Sequence, residues 1–289
     1  MKTPIDIAII GAGAAGLMAA ITSKENNPNV RVSIFEKTNK ALAKVRISGG
    51  GRCNVTNATF SISKLVKNYP RGGKQLKKAF SFFNTKHTVK WFETRGVKLK
   101  TEADNRMFPI SNNSKTIVDL LLNTAEKLDI KIIYKSNVSE IIPRNKDILL
   151  TVNKEKLPFD KLIIASGGSA KFNGLEFLNN LSCKIVNPLP SLFTFNMPNN
   201  SITKLMGLSV NNVIASIKGS KLKQEGSLLI THWGMSGPAI LKLSAWGAKE
   251  LAKLNYNFCV GINWIAKNEE DVRSVFEKLR LNNKLVYNF

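Results

Sequence analysis

The 289-residue sequence predicts an α/β protein. A Rossmann-like first domain, with a β-hairpin or meander let into its parallel sheet, precedes a smaller β-rich, barrel-like inserted domain. Three observations carry this. Residues 5–10 and 30–35 are short apolar runs rich in β-branched side chains, as in parallel strands covered on both faces. A glycine loop and a helix start lie between them. After Pro188 the pattern changes to short strands and turns. The expected divisions are a cofactor-binding domain over 1–187, the β-rich domain over 188–262, and the start of a helical segment over 263–289.

The first unit reads strand, Gly11-Ala12-Gly13-Ala14-Ala15-Gly16, helix from Leu17, strand, and then Glu36, about 20 residues past Gly16. Gly11 permits the tight turn, Gly13 lets a pyrophosphate approach the backbone, and Gly16 lets the helix pack closely on its strand. Free amides and the positive end of the helix dipole favour the phosphates. Glu36 is placed to accept hydrogen bonds from ribose hydroxyls, with Lys37 beside it. Its charge repels a 2′-phosphate, which argues against NADP here. The motif alone does not separate FAD from NAD.

Further along, residues 74–94 read as one helix stopping before Gly96. Residues 114–128 form an amphipathic helix, with Ile117, Val118, Leu121, Leu122, Ala125 and Leu128 at helical spacing. Strands are expected at 131–134, 138–142 and 148–152, the last two as a hairpin. In the second half, strands are expected at 210–218 and 227–230. Ser236, Gly237 and Pro238 are expected to cap a helix running to about Leu251. His232 lies close to Ser236, but no acidic residue is placed to complete a hydrolase triad.

Composition narrows the class. Forty-three Lys and Arg against twenty Asp and Glu give a net charge of +23. Such a balance fits a nucleic-acid partner, an anionic surface or an acidic substrate, or simply a basic solvated face. The densest basic stretch spans residues 71–90. Cys53, Cys183 and Cys259 are far apart and form no CxxC pair, which argues against a disulfide framework or zinc site; having two histidines argues against a His-rich metal site. So few thiols suit a reducing cytosol, and a cytoplasmic location is expected. The apolar stretch at 5–21 holds Asp6 and three glycines, so it reads as strand and helix rather than signal peptide or membrane span. The sequons at Asn54 and Asn57 carry no weight in a cytosolic chain.

The next motifs are more specific. Ile47-Ser48-Gly49-Gly50-Gly51-Arg52-Cys53-Asn54-Val55-Thr56-Asn57 resembles the glycine-rich flavin loop of the BaiN/YhiN-like (aminoacetone oxidase-like) flavoproteins. The segments at 105–111, 162–168, 190–195 and 231–241 are similar to further motifs of that family, in family order. The resemblance implies an extended FAD, its AMP end on residues 11–16 and Glu36, with Gly51, Arg52, Cys53 and Asn54 towards the isoalloxazine. It adds Ser166 and Gly167 from the 162–168 strand-turn, and Val138 near the adenine. Arg52 is suited to stabilising negative charge on reduced flavin, or to an ordinary carboxylate partner. Cys53, with no second cysteine near it in sequence, reads as packing or loop geometry.

Two departures from the family stand out. Between Gly168 and Pro190 the segment is shorter, with residues 172–178 in place of a glycine-rich stretch. Relatives also return from the inserted domain to close over the flavin, whereas this chain stops at Phe289, so a truncated or split member with weakened FAD binding is expected. The resemblance implies hydride transfer between flavin and a small substrate, an amine or an activated C=C bond, with NAD(P)H as a candidate donor. It leaves the catalytic residues unknown. The alternatives are flavin-dependent reduction of uridine in ribosomal RNA, which the charge motivates, and a nucleotide-binding module without activity. No membrane partner is expected, and the oligomeric state is open.

Overall fold

The structure, a computed structural model, describes residues 4–281. The chain divides into two units, Met1–Pro188 and Leu189–Phe289.

In the first unit, β1 (Asp6–Ile10) leads through α1 (Ala14–Asn26) to β2 (Arg31–Phe35) and α2 (Ala43–Ile47). Next come β3 (Thr56–Asn57), α3 (Ile62–Leu65), α4 (Gly73–Phe82), α5 (Thr85–Glu93), β4 (Leu99–Thr101) and β5 (Arg106–Pro109). Then follow α6 (Ser114–Lys127), β6 (Lys131–Ile133), β7 (Val138–Pro143), β8 (Ile148–Val152), β9 (Glu155–Phe159) and β10 (Lys161–Ile164). The main sheet is parallel, in the order β10-β1-β2-β6. Both faces of β1 are covered, which is why its sequence is apolar without a break. Ile9 packs with Leu17, Ile21 and Ile34 in one core, into which α6 lays Ile117, Val118 and Leu121. Ala8 and Ile10 pack on the other side with Phe35, Val138, Ile141 and Leu150.

Two expectations need correction here. The single helix over 74–94 is two, α4 and α5, broken at Phe83 and Asn84. The Asn84 side chain accepts from the Lys86 amide (2.9 Å) and the His87 amide (3.3 Å), while His87 Nδ1 accepts from the Asn84 amide (3.2 Å). A reciprocal cap of this kind starts a new helix. The hairpin of β7 and β8 gains a third strand, β9, to form an antiparallel meander.

The second unit holds β11 (Phe195–Asn196), β12 (Ser209–Ile217), β13 (Lys223–Thr231), β14 (Gly234–Ser236), α7 (Pro238–Trp246), α8 (Ala248–Lys253), β15 (Val260–Asn263) and α9 (Glu269–Leu281). Its sheet is antiparallel, in the order β11-β14-β13-β12-β15. Val213, Ala215 and Ile217 alternate inward from β12 to meet Leu228, Ile230 and the α7 residues Ala239, Ile240 and Leu243. The helix expected to reach Leu251 breaks at Gly247 into α7 and α8. Ser236 is not its cap: it lies in β14, and Gly237 takes the N-cap position with Pro238 following. Gly237 has φ +96° and would press an added Cβ to 2.7 Å from the Ser227 carbonyl oxygen, so the position requires glycine. Of the helical segment expected over 263–289, residues 282–289 and the chain stop at Phe289 lie outside the described residues.

Leu17→Ala, which empties a fully buried position, is expected to lower unfolding free energy by about 2–5 kcal/mol. Ile47→Ala, at a residue 75% exposed, should change it by less than about 0.5 kcal/mol. Urea unfolding of both variants checks the contrast.

Candidate functional site

The carboxyl ends of β1, β2 and β10 form a mouth built around the first glycine loop. The Gly11 amide donates to the Phe35 carbonyl (2.8 Å), and the Ala165 amide donates to that of Ile10 (2.8 Å). Gly11 has φ +101°, and a Cβ there would stand 2.6 Å from the Ala165 oxygen. On Gly16 a Cβ would stand 1.9 Å from the Gly11 oxygen. Both contacts are with backbone, so any side chain would force the strand-to-helix turn apart. Gly13 differs: a Cβ there meets nothing within 4 Å. It is the N-cap of α1, no side chain caps that end among the described residues, and Ala14 and Ala15 are exposed. The start of this 13-residue helix is therefore exposed and, among the described residues, has no side-chain cap, the setting in which first-turn amides can take an anion.

Glu36 stands beside this mouth. Its Oε2 accepts from the Ala12 amide (3.0 Å), and its Oε1 accepts from the Thr38 amide (2.9 Å) and hydroxyl (2.8 Å). Burial pushes its pKa up, but the hydrogen bonds from Thr38 and Ala12 and the nearby Lys37 charge outweigh that and hold it below the ordinary glutamate range. The result is a fixed, ionised carboxylate. Three donors against roughly four lone-pair positions leave it room to accept from a ligand hydroxyl.

The second glycine loop is a separate structure. Gly49, Gly50 and Gly51 all have positive φ (+56°, +68° and +84°). A Cβ on Gly49 would come within 2.7 Å of the Phe108 ring, whereas Gly50 and Gly51 would meet nothing within 4 Å. Arg52 lies with its guanidinium carbon 4.0 Å from the Phe108 ring centroid, and its Nη1 donates to Glu102 Oε1 at 2.6 Å. The Val55 amide donates to the Met107 carbonyl (2.9 Å). The motifs at 47–57 and 105–111 thus form one assembly around the fully buried Phe108. Cys53 is buried, with φ +63°. Burial pushes its thiol pKa up against a lowering hydrogen bond with Ser48, the opposite of what activates a nucleophilic cysteine. Asn54 is exposed beside it.

The remaining candidates fall at two places. Val138 opens β7 and packs with Ile10 and Phe35, two residues after Ser136, whose amide donates to the Glu36 carbonyl (2.9 Å). Ser166 lies against Gly11, its Cα 3.0 Å from where a Gly11 Cβ would stand, and Gly167 follows with φ +77°. Lys37 is exposed next to Glu36.

Two neighbours escaped sequence reasoning. Lys44 brings its ammonium within 3.9 Å of the Cβ position of Gly167. Leu42, buried with φ +57°, donates its amide to the Ala12 carbonyl (2.8 Å) and so ties the start of α2 to the first glycine loop. No local pattern marks either, because each acts on a residue distant in sequence. Among the described residues, no group of three or more His, Cys, Asp and Glu could hold a metal ion.

Because the Glu36 pKa is lowered on folding, the stability it contributes is present above the unfolded glutamate value and is lost as pH falls through the folded one. Glu36→Gln should therefore be less stable than wild type at neutral pH, with the gap closing in acid. Denaturant midpoints measured across that range check the sign.

Two family profiles cover this geometry. The HI0933-like protein Rossmann domain matches residues 5–188, and the HI0933-like protein barrel and H2TH domain matches residues 189–289. The 3-dehydro-bile acid delta(4,6)-reductase of Clostridium scindens is 24% identical over 85% of this chain and 61% of the relative. The ribosomal RNA dihydrouridine synthase of Haemophilus influenzae is 28% identical over 82% of this chain and 60% of the relative. The chain thus spans about three-fifths of the length of these relatives. Among solved structures, the Escherichia coli quinol fumarate reductase FrdA is similar at 16% identity and a TM-score of 0.49, over 72% of this chain and 43% of that one. With both units matched, the chain belongs to the HI0933-like family, that of the BaiN/YhiN-like flavoproteins its motifs resemble.

Proposed function

We propose that this chain is the nucleotide-gripping part of an FAD-dependent oxidoreductase. The observation that carries the reading is the uncapped, solvent-facing start of α1 beside the ionised Glu36. The open space at Gly13 fits a diphosphate, and the unfilled acceptor position on Glu36 fits a ribose hydroxyl. In this reading residues 11–16, Glu36 and Lys37 hold the ADP half, with Ser166, Gly167 and Val138 around it. The loop from Gly51 to Asn54 faces the flavin end. Flavin held here supplies hydride transfer to or from a small substrate. The C. scindens relative is named a reductase, which favours an activated C=C bond over an amine as the substrate group. Arg52 already neutralises Glu102, so its charge serves a reduced flavin only in competition with that pair.

An absorption spectrum of the purified chain during FAD titration tests the assignment and separates it from a nucleotide-binding module without activity. Gly13→Val should fold normally, since its side chain enters open space, yet lose at least about tenfold in FAD affinity, roughly 1.4 kcal/mol. Equal affinity in the variant would sink the cradle.

A second reading, binding and reduction of RNA, rests on a different observation. Between Glu36 and Glu93 the sequence holds no acidic residue. Within that stretch α4 exposes Lys74, Lys77 and Lys78, with Phe82 77% and Phe83 45% exposed at its end. Basic side chains beside exposed rings suit a phosphate backbone and stacked bases. The H. influenzae relative is named for ribosomal RNA. Affinity for a single-stranded RNA oligonucleotide should fall steeply with salt. Replacing these three lysines with Glu should flatten log Kd against log salt by about 0.7 per phosphate contact removed. A salt-independent affinity would count against RNA.

A further inference from the structure

We infer that the second unit carries a ligand site of its own, a cleft for a small, flat apolar molecule bearing one anionic group. The inference does not rest on the flavin reading. The cleft lies within residues 190–260 and has a volume of about 580 Å³, inside the range of small-molecule sites. Its walls come from the two edges of the sheet: β11 lies at one end of the strand order and β15 at the other. Aromatic rings bridge the gap between them. Phe195 and Phe258 meet edge to face with centroids 4.9 Å apart, and Phe193 and Tyr256 do so at 5.9 Å. Phe195 is buried in the core, but Phe193 and Phe258 are half-buried and Tyr256 is exposed, so a flat apolar body placed against these three removes apolar surface from water.

Charge selects the ligand further. Among the described residues, Lys218 is the single charged residue of the lining, and no carboxylate accompanies it there. Its amide donates to the Cys259 carbonyl (3.0 Å), which fixes the residue at the wall where β12 and β15 run together. An exposed lysine in the lining of an apolar cleft, with no acidic neighbour there among the described residues, favours a carboxylate or sulfonate on the ligand and disfavours a cation.

The test uses the full chain and two fluorescent probes of matched shape, anilinonaphthalene sulfonate and the uncharged phenylnaphthylamine. Both are expected to bind saturably. Lys218→Met, which keeps the apolar stem, should weaken the sulfonate by about tenfold and leave the uncharged probe unchanged. Lys249→Met, at an exposed position of α8 outside the lining, should change neither. Saturating ADP should displace neither probe, which separates this cleft from the glycine-loop mouth. Equal sulfonate affinity in wild type and Lys218→Met, absence of saturable binding, or displacement by ADP would overturn the inference.

Discussion

The hydrogen bond from the Ala12 amide to the Glu36 carboxylate joins the loop after β1 to the end of β2, and the mouth is organised around it. Glu36 is held on its backbone as well: its amide donates to Ile133 and its carbonyl accepts from Ser136 (both 2.9 Å). One residue thus connects the glycine loop, the end of β6 and the approach to β7. The carboxylate stays ionised because donors surround it, and it holds its place because the parallel register brings Ile10 level with Phe35. A slip of that register would part the glycine loop from the Glu36 carboxylate.

Sheet order explains why the mouth lies where it does. From β1 the chain moves to β2 and β6 on one side, while β10 returns on the other. Loops leaving β1 and β10 therefore diverge, and open parallel sheets bind ligands at such a switch point. Gly11 is squeezed against Ala165 and Ser166 at this divergence, and Gly13 is left facing open space. The second glycine loop depends on another anchor. Phe108 receives Gly49 on one side and the Arg52 guanidinium on its face. An aromatic ring buried beneath a left-handed glycine run fixes a loop that has no side chains of its own to fix it.

Electrostatics divides the surface in a way the net charge conceals. The long stretch without acids includes both the glycine-rich loop and the exposed aromatics of α4, so cationic surface is concentrated in the first unit between Glu36 and Glu93. The cleft of the second unit has a different character, aromatic with a single lysine among the described residues. Each unit has its own buried core, and the surfaces they offer are suited to different chemistry.

The sequence by itself determined β1, the glycine loop, β2 and α6, because each is a local demand. An unbroken apolar run needs cover on both faces, Gly11 needs positive φ, Gly16 needs the absence of a side chain, and the α6 pattern repeats at helical spacing. Only tertiary structure decided the rest. Asn84 split the expected helix because its cap competes with continuation, and propensity reads both outcomes alike. Strand β9 was hidden by Pro158, which breaks a strand pattern yet is tolerated on the edge strand where it sits. Arg52 found Glu102, Lys44 came near Gly167, and rings from two stretches distant in sequence came to line a cleft. Periodicity and spacing report what a residue needs from its near neighbours; these contacts join residues that only the folded chain brings together.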